Sequence, residues 1–172
     1  NKVTRDQIEY AGKNGFAHIN MTPEQTLDPG WRTKAEADSL VQSCMEKFST
    51  TGRLVVDTND AEGGRTAQYA ALQELDAEQV RNGISDTLGW LLKEMLDRGT
   101  RATILLTGGD TLLGFLKDAG TMQLTPVCEL DTGVVLLYLN YAGTDFPVIS
   151  KSGGFGSPEL MTRLADRIDN MK

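Results

Sequence analysis

Two kinds of apolar pattern alternate along this chain. Stretches with a helical period are separated by short apolar runs that end in glycine, aspartate or threonine. Thr4-Arg-Asp-Gln7 has the form of a capping box and predicts a helix from about Asp6 to Lys13, stopped by Gly15. Thr33-Lys-Ala-Glu36 has the same form. It predicts a helix through about Phe48, with Leu40, Val41, Cys44, Met45 and Phe48 as the apolar stripe and Gly52 closing it. Thr66 to Leu75 is weakly helical. Asp76-Ala-Glu-Gln79 opens the longest helix, through about Arg98, in which Val80, Ile84, Thr87, Leu88, Leu91, Leu92, Met95 and Leu96 keep the period. A last helix runs from Pro158 to about Met171, with Leu160, Met161, Leu164, Ile168 and Met171 facing inward.

Phe16 to Asn20, Leu54 to Thr58, Thr103 to Leu106, Met122 to Leu130, Val134 to Leu139 and Phe146 to Ile149 read as strands. Met21 to Arg32 holds Pro23, Pro29 and Gly30 and reads as a loop. Pro126 moves its strand toward an edge or a bulge. Asp131-Thr-Gly133 is a turn that makes a hairpin with the next strand. Helices and strands alternate, which predicts an α/β fold: a three-layer sandwich with a mostly parallel mixed sheet and one antiparallel hairpin. No linker or repeat divides residues 1–172, so one domain is expected.

Two of the strand-to-helix junctions carry glycine. In Thr103 to Phe115, TILLTGGDTLLGF, a strand meets a helix through Thr107-Gly108-Gly109-Asp110-Thr111. Asp110 is a good N-cap type, and Thr111 beside it can play the same part. Glycines at such a turn let the backbone approach another group, and the helix start aims N–H donors and partial positive charge at it. A plain connection, with glycines for geometry alone, explains this motif equally well. The second junction, Phe146 to Glu159, has the same grammar. An apolar strand is followed by Lys151-Ser152-Gly153-Gly154-Phe155-Gly156, then by Ser157 as N-cap, Pro158 at the first helical position and Glu159 in the first turn. Lys151 adds a cation and Ser152 a hydroxyl. Two such loops face one ligand if their strands are neighbours, since open α/β sheets bind along that edge. The spacing is not that of a Walker A loop, and no GxGxxG follows a strand, which counts against a dinucleotide-dependent oxidoreductase.

TGGDT followed by KSGGFG resembles the C-terminal nucleotide-binding domain of the four-carbon acid sugar kinases, and VTRDQIEYA is similar to the segment that opens that domain. The resemblance covers the whole chain. It implies the C-terminal half of a two-domain kinase acting on threonate, erythronate or related acids, with the sugar-acid-binding half absent. It implies ATP and Mg²⁺ as cofactors. Gly108, Gly109, Asp110, Thr111, Lys151, Ser152, Gly153, Gly154 and Gly156 would form the nucleotide site, with Asp110 as the catalytic candidate, holding Mg²⁺ or deprotonating the acceptor hydroxyl. The alternative is a stand-alone nucleotide- or anion-binding module without catalytic activity. Assembly as a homodimer is left open.

Composition narrows the partners. A net charge of −7 without a basic cluster argues against nucleic acid and anionic membranes. Any phosphate site must then rest on local N–H groups and single cations such as Lys151. No apolar run is long enough to span a bilayer, and the first residues do not form a signal peptide. Cys44 and Cys128 lie in apolar-patterned segments and are expected as buried free thiols of a cytoplasmic protein. His18, the one histidine, excludes a histidine-based metal cluster and is expected to be structural. The Glu62-Gly-Gly-Arg65 loop is solvated or borders the same cleft.

Overall fold

The computed structural model describes residues 1–60 and 63–170; Glu62 and Met171, named above, lie outside them. Helix α1 (Lys2–Lys13) starts earlier than its sequence predicts, because Asn1 caps it by accepting from the Val3 N–H. Strand β1 (Ala17–Asn20) follows. The segment expected as a loop contains a short helix, α2 (Pro23–Leu27), and a 3-10 turn at Trp31–Thr33. Its signal was present in Thr22-Pro23-Glu24-Gln25, which closes a complete capping box. Helix α3 (Ala35–Thr51) has no side-chain cap, so the expected box at Thr33 does not form; Gly52 ends it in the left-handed region at φ 71°. Next come β2 (Leu54–Asp57), α4 (Arg65–Leu72) and α5 (Ala77–Asp97), whose Asp76–Gln79 box forms as predicted. β3 (Ile104–Thr107), α6 (Gly109–Asp118), β4 (Thr125–Asp131), β5 (Val134–Tyr141), β6 (Thr144–Lys151) and α7 (Leu160–Asp169) complete the order.

The fold is α/β, with β1 and β2 in a parallel pair and a mixed sheet ordered β3-β6-β5-β4. β3 and β6 are parallel, with Thr107 opposite Lys151. The predicted β4–β5 hairpin is present, and β4 is the bulged edge strand that Pro126 foretells. A second hairpin joins β5 to β6 through Ala142 and Gly143, at φ 49° and 76°. Positive φ at both central residues suits the twist of a two-residue hairpin.

Helices cover both faces. Ile104, Leu106, Phe146 and Val148 pack with Leu96 of α5 and with Phe115 and Leu116 of α6. Leu54 and Val56 of β2 pack on the same side, against Leu91 and Met95 of α5 and Val41 and Cys44 of α3. Val55 and Leu105 point the other way, toward Ile8 of α1 and Met161 of α7. The layers are therefore α3/α5/α6, strands, and α1/α7. Burial pushes the Cys44 thiol up to about 11. Cys128 is a free thiol too, but it is exposed on the edge strand, against expectation.

Strand direction follows from the ion pairs. Arg53, just before β2, holds Asp166 and Asp169 at the far end of α7, each at 2.8 Å. α7 begins beyond the C-terminal end of β6 and runs back, so β2 points the same way as β6. The C-terminal ends of β1, β2, β3 and β6 thus share one edge.

Helices α5 and α6 cross on glycine. A Cβ at Gly89 would lie 2.6 Å from the Gly114 carbonyl carbon, and one at Gly114 would lie 2.4 Å from the Ser85 oxygen. Both obstacles are backbone, so neither can swing aside. Gly114→Ala is therefore expected to lower stability by about 1–3 kcal/mol. Gly12→Ala in α1, where a Cβ meets nothing within 4 Å, should raise it by about 0.5–1 kcal/mol. Chemical denaturation of the two variants checks both signs.

Candidate functional site

Because β3 and β6 are parallel neighbours, the two glycine junctions leave the sheet side by side. The Gly108 N–H donates to the Lys151 carbonyl at 2.9 Å, which ties one loop to the other. Gly108, at φ 94° and ψ 142°, occupies backbone space open to glycine and is the N-cap of α6. Asp110 and Thr111 therefore do not cap. Asp110 is the second helical residue, exposed, with its carboxylate over the positive end of the helix. The N–H groups of Gly109, Asp110 and Thr111 have no partner among the described residues. Gly109 has ordinary φ, and a Cβ there meets nothing within 4 Å, so the space above this turn is open.

The second loop is held by its carbonyls. Lys151 is 1% exposed, and its Nζ donates to the Ser152 and Gly153 carbonyls at 2.9 and 3.3 Å. Thr4 of α1 donates to the Gly153 carbonyl at 3.1 Å, and Gln7 Nε2 to those of Phe155 and Ser157 at 3.0 Å each. In a trans peptide the carbonyl of one residue and the N–H of the next point opposite ways. With the carbonyls of Ser152, Gly153 and Phe155 drawn inward, the N–H groups of Gly153, Gly154 and Gly156 turn outward. None of the three has a partner among the described residues. Gly156, at φ 91°, is enforced as well by space: a Cβ would lie 2.4 Å from Leu160 Cδ2 and 2.9 Å from Gln7 Nε2.

Lys151 was expected to add a cation at the loop's entrance. It lies beneath the loop instead, and burial draws its pKa below the ordinary lysine value. Its charge acts on the peptides it touches. A cation on a carbonyl polarises the whole amide, so the Gly153 and Gly154 N–H groups become stronger donors. Ser152 is exposed on the outer side of the loop, with its N–H bound to the Gly133 carbonyl at 2.9 Å. Ser157 and Pro158 do not start α7. They form a lead-in turn, in which the Ser157 hydroxyl bonds the Glu159 carboxylate and holds its pKa down.

Thr4 and Gln7 were missed as site residues, although a signal existed. Gln7 is a polar residue in the helical stripe with Ile8 and Ala11, and all three are buried. The ends of β1 and β2 add a polar network on the same edge. Asp57 accepts from Asn20 Nδ2 at 2.6 Å and the Asn59 N–H at 2.7 Å, and pairs with His18 Nε2 at 2.5 Å. His18 is thus a partnered residue, as expected. Arg65 reaches Asp60 Oδ1 at 3.2 Å and Asn20 Oδ1 at 3.4 Å, which anchors its loop to this network. Among the described residues no group of three acidic, cysteine or histidine side chains could hold a metal ion. No helix among them is long and apolar enough to cross a membrane.

A family model described as a nucleotide-binding C-terminal domain matches residues 1–161, and the chain belongs to that family. No curated protein matches it. Among solved structures, it resembles Haemophilus influenzae protein HI1011 of the DUF1537 family at TM-score 0.70 and 19% identity, covering 93% of this chain and 36% of that one. A DUF1537 domain from Bordetella bronchiseptica, with bound citrate and as a domain-swapped dimer, gives TM-score 0.65 at 21% identity, covering 95% and 36%. A Salmonella typhimurium LT2 protein, provisionally named a tRNA synthase, gives 0.73 at 18%, covering 94% and 37%. The chain thus spans a little over a third of the length of the structures it resembles.

Removing Gln7 should free the loop it holds. Gln7→Ala is expected to cost about 1 kcal/mol, because the Phe155 carbonyl loses its donor while the Ser157 carbonyl keeps only the Leu160 N–H. Amide exchange at Phe155 and Leu160, whose N–H groups bond the Ser152 and Ser157 carbonyls, should quicken while that of α5 keeps its order, as read by hydrogen exchange with mass spectrometry.

Proposed function

We propose that this chain is the ATP-binding domain, and C-terminal half, of a two-domain kinase that phosphorylates four-carbon sugar acids. The observation that carries the nucleotide part is the set of outward N–H groups at Gly109 to Thr111 and at Gly153, Gly154 and Gly156, side by side on one sheet edge. Six donors without internal partners, over a buried cation, suit the oxygens of a polyphosphate. The sugar-acid part rests on the resemblance of the two motifs. The citrate of the Bordetella structure supports a small acidic ligand in the longer proteins.

Bound ATP would supply the phosphoryl group. The α6 N-terminus and the Lys151–Gly156 loop would hold and orient its phosphates, and their fixed dipoles would meet the charge that develops during transfer. Asp110 stands exposed beside these donors. Mg²⁺ is commonly held by one or two carboxylates together with substrate phosphates, so a lone aspartate fits. In this site Asp110 would hold Mg²⁺ or take the proton of the acceptor hydroxyl. The acceptor would be positioned mainly by the other half of the protein. This chain by itself should bind nucleotide without phosphorylating threonate or erythronate.

Calorimetry is expected to give a Kd for ATP·Mg²⁺ of about 1 mM, weak because closure of a second domain would add contacts. Gly109→Val should lower the affinity about tenfold by filling the open space, with little loss of stability, since its φ is ordinary. Lys151→Met should also lower it about tenfold while the melting midpoint holds or rises. The two carbonyls that Lys151 serves keep other donors, Phe155 N–H and Thr4 Oγ1. Unchanged affinity in both folded variants would remove the phosphate assignment. Asp110→Asn should weaken ATP·Mg²⁺ but not metal-free ADP if Asp110 holds the cation.

A further inference from the structure

One side chain of the glycine loop has no part in holding phosphate. Phe155 stands between Gly154 and Gly156, whose N–H groups face outward. Of the five phenylalanines, Phe115 and Phe146 are buried, Phe16 and Phe48 are half-buried, and Phe155 is 45% exposed. A ring so placed keeps apolar surface in water, and covering that surface would be favourable.

The ring is nevertheless fixed. The Phe155 N–H donates to the Ser152 carbonyl at 3.2 Å, and its carbonyl accepts from Gln7 Nε2 at 3.0 Å. The side chain rests on Gly133, in the turn between β4 and β5. A Cβ built on Gly133 would lie 2.9 Å from Cγ of the ring, 3.1 Å from Cδ2 and 3.3 Å from Cδ1. A point almost equidistant from both Cδ atoms lies either over the ring or behind Cγ in its plane. Behind Cγ it would meet the Phe155 Cβ first, and that atom is not among the three nearest. Gly133 therefore sits against the face of the ring. Its φ of 69° and its lack of a Cβ make room for this contact. The Ser152 N–H, bound to the Gly133 carbonyl at 2.9 Å, ties the turn to the loop. One face of the ring is seated on the hairpin, and the other side carries the exposure.

We propose that the open face of Phe155 is the platform on which the base of the nucleotide stacks. This rests on the phosphate reading of the two loops and goes beyond it, since phosphate needs no aromatic ring. Three observations choose a base. A flat π-surface with one face backed and one open suits stacking of a second flat ring. The Gly154 and Gly156 donors flank it, so a phosphate held there brings its own nucleoside within reach. The ring is held at its backbone and at one face before any ligand arrives, so stacking orders no further side chain. Phe155 is then a binding residue that sets where the base lies, and it takes no part in phosphoryl transfer.

Nuclear magnetic resonance titration suits the affinity of about 1 mM expected here. The unvaried chain, Phe155→Leu and Phe155→Tyr are each titrated with ATP·Mg²⁺ and with the Mg²⁺ complex of tripolyphosphate, which offers phosphates without a base. Leucine keeps an apolar contact with Gly133 but has no π-face, whereas tyrosine keeps the ring. Phe155→Leu should weaken ATP·Mg²⁺ about fivefold or more and leave tripolyphosphate within about twofold. Phe155→Tyr should keep both within about twofold. A second measurement needs no substitution: nuclear Overhauser contacts should join the adenine H2 and H8 protons to the Phe155 ring. The proposal is overturned if Phe155→Leu binds ATP·Mg²⁺ unchanged, or if Phe155→Tyr loses as much as Phe155→Leu. It is overturned if Phe155→Leu loses ATP and tripolyphosphate alike, because Phe155 then only shapes the loop. It is overturned too if the adenine protons make no contact with the Phe155 ring. Should tripolyphosphate fail to bind the unvaried chain, the phosphate reading falls by itself, and the Overhauser contacts alone decide the platform.

Discussion

A trans peptide sends its carbonyl and the following N–H in opposite directions, and the glycine loop after β6 depends on that constraint. Thr4, Gln7 and Lys151 grip the inner oxygens of the loop, so the outer surface becomes a row of donors. The donors are not held by anything they bind. They are set by what lies beneath them, which makes the surface pre-organised in the absence of a ligand. Glycine is needed at Gly156 for backbone sign and for clearance, whereas a Cβ at Gly153 or Gly154 would meet only the Asn1 side chain, at 3.3 and 4.0 Å.

Lys151 shows how burial changes a residue's part. A surface lysine would meet an anion as a mobile, hydrated charge. Under the loop it is dehydrated, held by two carbonyls, and transmits its field through the amides. A buried cation without a carboxylate costs stability, and burial lowers its pKa for the same reason. An arriving anion would offset that cost, which couples occupancy of the loop to the state of its foundation.

The scaffold concentrates its close contacts elsewhere. α5 touches both halves of the strand layer, through Leu96 on one side and Leu91 and Met95 on the other. Its approach to α6 on Gly89 and Gly114 sets where α6 points, and hence where the Gly109 to Thr111 donors are aimed. With no ladder between β2 and β3, α5 and α7 span the opening between the two sheets.

Much of this was legible in the sequence. The α/β class, the alternation of elements, the Asp76–Gln79 start of α5, the edge character of β4 and the two glycine junctions all follow from local rules. Period, cap type and turn chemistry act within a few residues and need no fold to be read. The failures were failures of partner. Thr4 and Gln7 have the spacing of a cap, but their polar atoms reach a loop some 150 positions away. Asp110 and Ser157 have the right chemistry for caps, yet Gly108 and the Ser157–Glu159 turn take the helix starts. That Lys151 is buried and Cys128 exposed could not be read locally, because burial belongs to the packed whole. That β3 and β6 are neighbours, that their loops meet, and that β2 and β3 stand apart are decisions of the tertiary structure. Strand order depends on which distant edges find each other, and no local pattern encodes that choice.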